Sequence, residues 1–181
     1  MDLYERGFIM KVLIVIDMQH DFINGSLGST EATKIVPYVK NKIEEYREKN
    51  QIVVFTRDTH SEEYLSTQEG KKLPVVHCIE HSFGWQIHQE LPVQDSIVFD
   101  KPTFGCVELA SYMKEHHAND EFEFVGVCTD ICVISNAMLL KAYLPDNKIT
   151  IDAMGCAGVT VESHKNALEA MKMCHIQVVN D

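Results

Sequence analysis

The 181-residue sequence has no apolar stretch long enough for a membrane-spanning helix, no run rich in proline, glycine or serine, no internal repeat and no low-complexity segment. A spanning helix, a flexible interdomain spacer and a repeat array are thereby excluded, and one domain over residues 1–181 is expected. Basic residues are also scarce, with 16 Lys and Arg against 27 Asp and Glu and a formal net charge of −11. The acidic excess is spread along the chain, which opposes binding to nucleic-acid phosphates or anionic membranes and suits a small neutral or cationic partner. Residues 1–10 carry Asp2, Glu5 and Arg6 and lack the apolar core of a secretory signal. A cytoplasmic protein is expected, with residues 1–10 an N-terminal extension and Met10 an alternative start.

Cysteine is not scarce. Cys78, Cys106, Cys128, Cys132, Cys156 and Cys174 sit mostly inside apolar runs in a chain without an export signal, so reduced thiols are expected rather than a disulfide framework. Short β-rich apolar runs recur at Val12–Ile16, Ile52–Thr56, Ser96–Phe99, Phe122–Val127, Ile149–Asp152 and Ile176–Val179. Runs this hydrophobic read as strands covered on both faces. Between several of them lie helix-period segments: Ile35, Val39, Ile43 and Tyr46; Leu109 and Met113; Ile131, Ser135, Met138 and Ala142; Ala167, Leu168 and Met171. The alternation predicts a three-layer α/β fold, a doubly wound and mainly parallel six-stranded sheet with helices on both faces.

In such a sheet ligands bind beyond the carboxyl ends of the strands, where Asp17, Asp58, Lys101 and Cys132 all fall. Cys132 lies in the first turn of a helix that Thr129 or Asp130 is placed to cap and that runs through Leu140. The helix dipole there favours a nucleophilic thiolate, although a buried small hydrophobe, or a metal pair with Cys128, fits the same spacing. Asp17 reads equally as a cap or as an acid aimed into the crevice, and Lys101 as a solvated strand end or as a partner for Asp17 and a thiolate. The long polar stretch from Asp58 to Pro92 holds His60, His77, His81 and His88. Asp58 and His60, two apart in extended chain, project the same way and form a pair able to hold a divalent ion; a solvated polar loop is the alternative.

Ile16-Asp17-Met18-Gln19-His20-Asp21-Phe22, Lys101-Pro102-Thr103-Phe104-Gly105 and Gly126-Val127-Cys128-Thr129-Asp130-Ile131-Cys132-Val133 together resemble the isochorismatase-like cysteine hydrolases. The resemblance runs from about Lys11 to the C-terminus, through the strand end Asp152-Ala153-Met154 and the later helix beginning Ser163-His164-Lys165. It implies a catalytic triad of Asp17, Lys101 and Cys132, a cis peptide between Val127 and Cys128, and an oxyanion hole from the backbone N–H groups of Cys128 and Cys132. His77 resembles a metal-binding histidine of the nicotinamide-hydrolysing members. Many of those carry a second histidine where this chain has Ser66; some use a glutamate nine residues after the first histidine, and Glu69 stands there. The implied metal set is therefore Asp58, His60, Glu69 and His77, holding Zn, Mn or Fe. Phe22 matches the family position that packs on an aromatic substrate, its alternative being a core phenylalanine, and Phe104 is a second candidate for the pocket wall. The expected activity is hydrolysis of the small-molecule amide nicotinamide by a homo-oligomer, feeding NAD salvage. A ureido or N-carbamoyl compound or isochorismate is the alternative substrate, and a non-catalytic metal- or partner-binding protein the alternative class.

Overall fold

The computed structural model describes residues 9–181, so the extension expected over residues 1–10 lies largely outside the described residues. Met10 itself is tied into the fold: its N–H donates to Asp120 Oδ1 at 2.9 Å, and its carbonyl accepts from Glu121 N at 3.0 Å. The strands are β1 (Lys11–Ile16), β2 (Ile52–Asp58), β3 (Ile97–Lys101), β4 (Glu121–Val127), β5 (Ile149–Ala157) and β6 (Gln177–Val179). They form one sheet in the order β3-β2-β1-β4-β5-β6, and every neighbouring pair is parallel.

Strand β1 shows why the sheet has three layers. Val12, Ile14 and Ile16 face one core and Leu13 and Val15 the other, so the period of two buries both sides. Helix α2 (Thr30–Glu48) covers the second face with Ile35, Val39, Ile43 and Tyr46, and its first turn is closed by Ser29, whose hydroxyl accepts from Ala32 N at 3.0 Å. Helices α4 (Val107–His116), α5 (Ile134–Tyr143) and α6 (Val161–Met173) cover the first. Two short helices, α1 (His20–Ile23) and α3 (Gln68–Lys72), belong to the loops at the carboxyl ends. Among the described residues no helix is long and apolar enough to cross a membrane.

Several expected boundaries move. Strand β3 continues past Phe99 to Lys101, and β2 past Thr56 to Asp58, because both extend their register against each other to the Asp58–Lys101 pair. Strand β5 runs on from Asp152 to Ala157 after an irregularity in its register with β4. The helix expected to hold Cys132 in its first turn and to run through Leu140 begins with a π-helical turn, Thr129–Val133, before α5 takes over. That extra residue rotates the apolar stripe: Val133, Ala137, Leu140 and Leu144 are buried, whereas Met138 and Ala142 are exposed. Neither Thr129 nor Asp130 caps the turn. Thr129 Oγ1 pairs with His164 Nδ1 at 2.8 Å, and Asp130 Oδ1 accepts from Val159 N at 3.1 Å, so both side chains are spent on the first turn of α6 and the segment before it.

The order of the strands puts the reversal of winding between β1 and β4. Beyond the carboxyl ends of these two strands lie Asp17 and the Cys128–Cys132 segment, at the topological switch point where open α/β sheets bind ligands.

Candidate active site

Asp17 follows β1 with φ 46°, a left-handed turn that aspartate tolerates better than most residues. Its carboxylate is fully buried and is held from β2 by Thr56, whose hydroxyl donates to Oδ1 at 2.6 Å and accepts from Asp17 N at 3.2 Å. Lys101, at the end of β3, is buried rather than solvated. Its Nζ lies 2.7 Å from Asp17 Oδ2, 3.2 Å from Asp58 Oδ1 and 3.5 Å from Cys132 Sγ. It also donates to the Thr103 carbonyl at 3.1 Å. The three residues expected to form the triad are therefore brought together, with the ammonium at the centre.

The electrostatics alter one expectation. Burial and then the charge of Asp17 push the Cys132 thiol well above its ordinary pKa, against the opposing pull of Lys101. Burial also raises the Asp17 carboxyl despite Lys101. Burial works against the Lys101 charge, yet Asp17, Cys132 and Asp58 keep it firmly protonated. Burial thus opposes the thiolate that a helix start would favour, and it makes the neighbouring carboxyl a stronger base. The peptide between Val127 and Cys128 is cis. Just before it, Gly126 has φ 124°, and a Cβ there would run into the Ile16 carbonyl, so only glycine lets β4 approach β1 this closely. Cys128 lines the cavity, its own thiol pushed up to about 12 by burial and the nearby carboxylates.

Asp58, His60, Glu69 and His77 each offer a ligand atom, and these atoms lie within 4.8 Å of one another. Asp58 Oδ2 is 2.8 Å from His60 Nε2 and 3.5 Å from His77 Nε2; Glu69 Oε1 is 3.8 and 3.9 Å from the same nitrogens. Although burial would lift it, the Asp58 carboxyl is held well below the usual range by the two imidazoles and Lys101. His77 Nδ1 lies 2.7 Å from the Val75 carbonyl, a bond that makes Nδ1 the donor and leaves Nε2 free as a ligand. His60 Nε2 is buried and, although only 2.8 Å from Asp58 Oδ2, makes no hydrogen bond of good geometry. A buried orphan nitrogen surrounded by two carboxylates and a second imidazole fits a divalent ion. Ser66 takes no part: it is exposed and its hydroxyl donates to the Glu63 carbonyl at 2.8 Å. The remaining histidines lie elsewhere, His81 in solvent beside Trp85 and His88 against His20. Trp85 anchors the loop, with Arg57 stacked 3.6 Å above its ring and its Nε1 donating to Thr59 Oγ1 at 2.8 Å.

A cavity of about 560 Å³ opens onto these groups, inside the size range of small-molecule sites. Phe22, Phe104, Leu73, Ile131 and Val159 line it together with Cys132, Asp58, Glu69 and His77. Phe22 also packs on the His77 ring at 5.6 Å. Among the described residues no lysine or arginine lines the cavity.

Sequence reasoning missed two supports. In the sequence Thr56 reads only as the end of an apolar run. Gln19 is fully buried; its Nε2 donates to the Asp58 and Trp85 carbonyls, both at 2.8 Å, and its Oε1 accepts from Asp58 N at 2.7 Å. It thereby clamps the end of β2 to β1 and to the histidine loop.

An α/β sheet with this switch-point constellation defines a hydrolase-like site, and residues 11–180 match the Isochorismatase domain. The chain belongs to the isochorismatase family of hydrolases. It is 25% identical to a nicotinamidase of Saccharomyces cerevisiae, covering 94% of this chain and 100% of that one. It is also 25% identical to a nicotinamidase/pyrazinamidase of Mycobacterium tuberculosis, over 94% and 98%. Among solved structures, the pyrazinamidase of Pyrococcus horikoshii in complex with zinc superimposes with a TM-score of 0.82 at 28% identity, over 94% of this chain and 99% of that one.

Proposed function

We propose that this hydrolase converts nicotinamide to nicotinate and ammonia through a thioester on Cys132. The observation that carries this reading is the meeting of a thiol, an ammonium and a buried carboxylate beside a largely apolar cavity whose wall includes a candidate metal-ligating group. The relatives named as nicotinamidases and a pyrazinamidase support it. The alternative substrates isochorismate and the N-carbamoyl and ureido acids carry carboxylates, which would be buried without a lysine or arginine partner among the described residues lining the cavity. A flat neutral amide suffers no such penalty, and Phe22 and Phe104 offer it aromatic walls.

In this mechanism Asp17 takes the Cys132 proton as the sulfur attacks the amide carbon, and Lys101 stabilises the charge on both partners. Backbone N–H groups of Cys128 and Cys132 hold the oxyanion. The C–N bond then breaks and Asp17 returns the proton to the departing ammonia. Water, deprotonated by the same carboxylate, attacks the thioester; nicotinate leaves and the thiol is restored. Asp58, His60, Glu69 and His77 would hold one Zn, Mn or Fe ion. When bound, such an ion supplies a Lewis acid with open positions for a pyridine nitrogen or water. The product would enter NAD salvage.

Ammonia release from nicotinamide, pyrazinamide and ureido compounds, measured side by side on the purified protein, tests the reading. Nicotinamide and pyrazinamide are expected to turn over and the ureido acids not. Faster release from a ureido acid would overturn the substrate assignment.

A further inference from the structure

Asn136 lies in α5, four residues after Cys132, and is 2% exposed. Asparagine is a poor choice for a helix interior, and burying its amide is costly unless the polar atoms are paired. Here Nδ2 donates to the Cys132 carbonyl at 2.8 Å and to the Phe104 carbonyl at 2.9 Å, while Oδ1 accepts from Cys106 N at 2.8 Å. Both donor hydrogens and one lone pair are used.

These bonds join two segments of the site. One is the turn that carries the thiol. The other is the connection from β3 to α4, which starts at Lys101, supplies the Thr103 carbonyl that Lys101 Nζ bonds, and ends at Cys106, whose sulfur accepts from Leu109 N at 3.4 Å at the head of α4. Asn136 grips this connection on both sides of Gly105 and ties it to the carbonyl of Cys132 itself. A simple stitch between α4 and α5 would need neither the bond to Cys132 nor the one to Phe104.

We infer that Asn136 is a positioning residue that fixes the Lys101–Cys106 connection against the Cys132 turn and so sets the distance between ammonium and sulfur. The inference rests on the reading of Cys132 as nucleophile. Two substitutions separate this role from general architecture. Asn136→Asp keeps the size and the acceptor for Cys106 N but turns a carboxylate toward two carbonyl oxygens. In Asn136→Ser the hydroxyl can bond back to the Cys132 carbonyl, as helical serines do, but is too short to reach the connection.

The full-length protein and both variants are compared for kcat and KM of ammonia release, for thermal unfolding, and for the rate at which iodoacetamide modifies Cys132 at one neutral pH, read by peptide mass spectrometry. Asn136→Ser is expected to stay folded, to lose about tenfold or more in kcat with KM within about twofold, and to slow Cys132 modification about fivefold. Asn136→Asp should lose at least as much, and if it fails to fold, Asn136→Ser decides. A folded Asn136→Ser variant with both rates unchanged overturns the inference, as does a loss of activity that merely follows the unfolded fraction. If the wild type releases no ammonia from nicotinamide but modification of Cys132 still slows in Asn136→Ser, the substrate reading fails and the positioning role stands.

Discussion

The chemistry available to Cys132 is set by what surrounds its sulfur. Burial and the charge of Asp17 raise the Cys132 thiol, so in the proposed mechanism its proton passes to Asp17 in the same step as attack. Cys132→Ala is therefore expected to lower turnover by several orders of magnitude with little change in thermal unfolding, since one sulfur atom contributes little packing. Cys128→Ala should retain activity, because the proposed mechanism uses only the backbone N–H of that residue; a variant as inactive as Cys132→Ala would point to a two-cysteine site. Thr56→Val, nearly the same size, removes both bonds to Asp17 and should lower kcat by about tenfold without unfolding the protein, which steady-state kinetics beside a melting curve would check. Their places after apolar runs at the strands' carboxyl ends marked Asp17, Lys101 and Cys132 as candidates, but only the family resemblance implied them as a group. Thr56 and Gln19 were not legible, because their partners lie across neighbouring strands and nothing local marks a buried hydroxyl or amide as a clamp.

Between residues and sheet, the loop from Asp58 to Pro92 shows how short elements place ligands. Tyr64–Ser66 forms a 3-10 turn, and Thr67 then caps α3 by accepting from Gly70 N at 3.0 Å, which sets Glu69 in the first turn facing His60 and His77. The buried Tyr64 ring supports both imidazoles, at 4.6 and 4.8 Å. Ser66, three residues earlier, falls on the outer side of the turn. Glu69→Ala is accordingly expected to weaken metal binding by about 10–100-fold or more, while Ser66→Ala leaves it unchanged; titration of the stripped protein with Zn²⁺ reads both. Undiminished affinity in Glu69→Ala would remove it from the ligand set. The elements were legible where apolar periodicity is strong, as in α2 and α6. The π-helical turn at Thr129–Val133 was not, because one inserted residue leaves the helical pattern recognisable but rotates its phase, and the polar residues that seemed to cap it are bonded to the distant first turn of α6 and the segment before it.

At the scale of the whole molecule, the layers followed from which runs were apolar, but the order of strands did not, since parallel pairing joins residues far apart in sequence and leaves no local mark. One polar cluster centred on the buried Asp152 ties α2 to that order. Asp152 of β5 accepts from Tyr38 Oη at 2.8 Å and from Asn180 Nδ2 at 3.0 Å and pairs with Lys42, which also holds Glu123 of β4 at 2.6 Å. The cluster links α2, β4, β5 and the residue after β6. Burial alone would raise the Asp152 carboxyl, but the bonds from Lys42, Asn180 and Tyr38 hold it below its ordinary value. A carboxyl whose folded pKa is depressed contributes stability above its unfolded value of about 3.9 and loses that contribution as the pH falls through the folded value. Asp152→Asn should thus destabilise the protein by about 1.5–3 kcal/mol near neutral pH, the usual scale for hydrogen bonds to a charged group. The gap between wild type and variant in urea unfolding should stay constant from neutral pH down to about 5 and shrink below about 4. The comparison cancels the shared effect of the remaining negative charge, whose self-repulsion also changes with pH. A gap that persists unchanged into acid would mean that the cluster stabilises the fold through packing and neutral hydrogen bonds, with the ionised carboxylate contributing nothing.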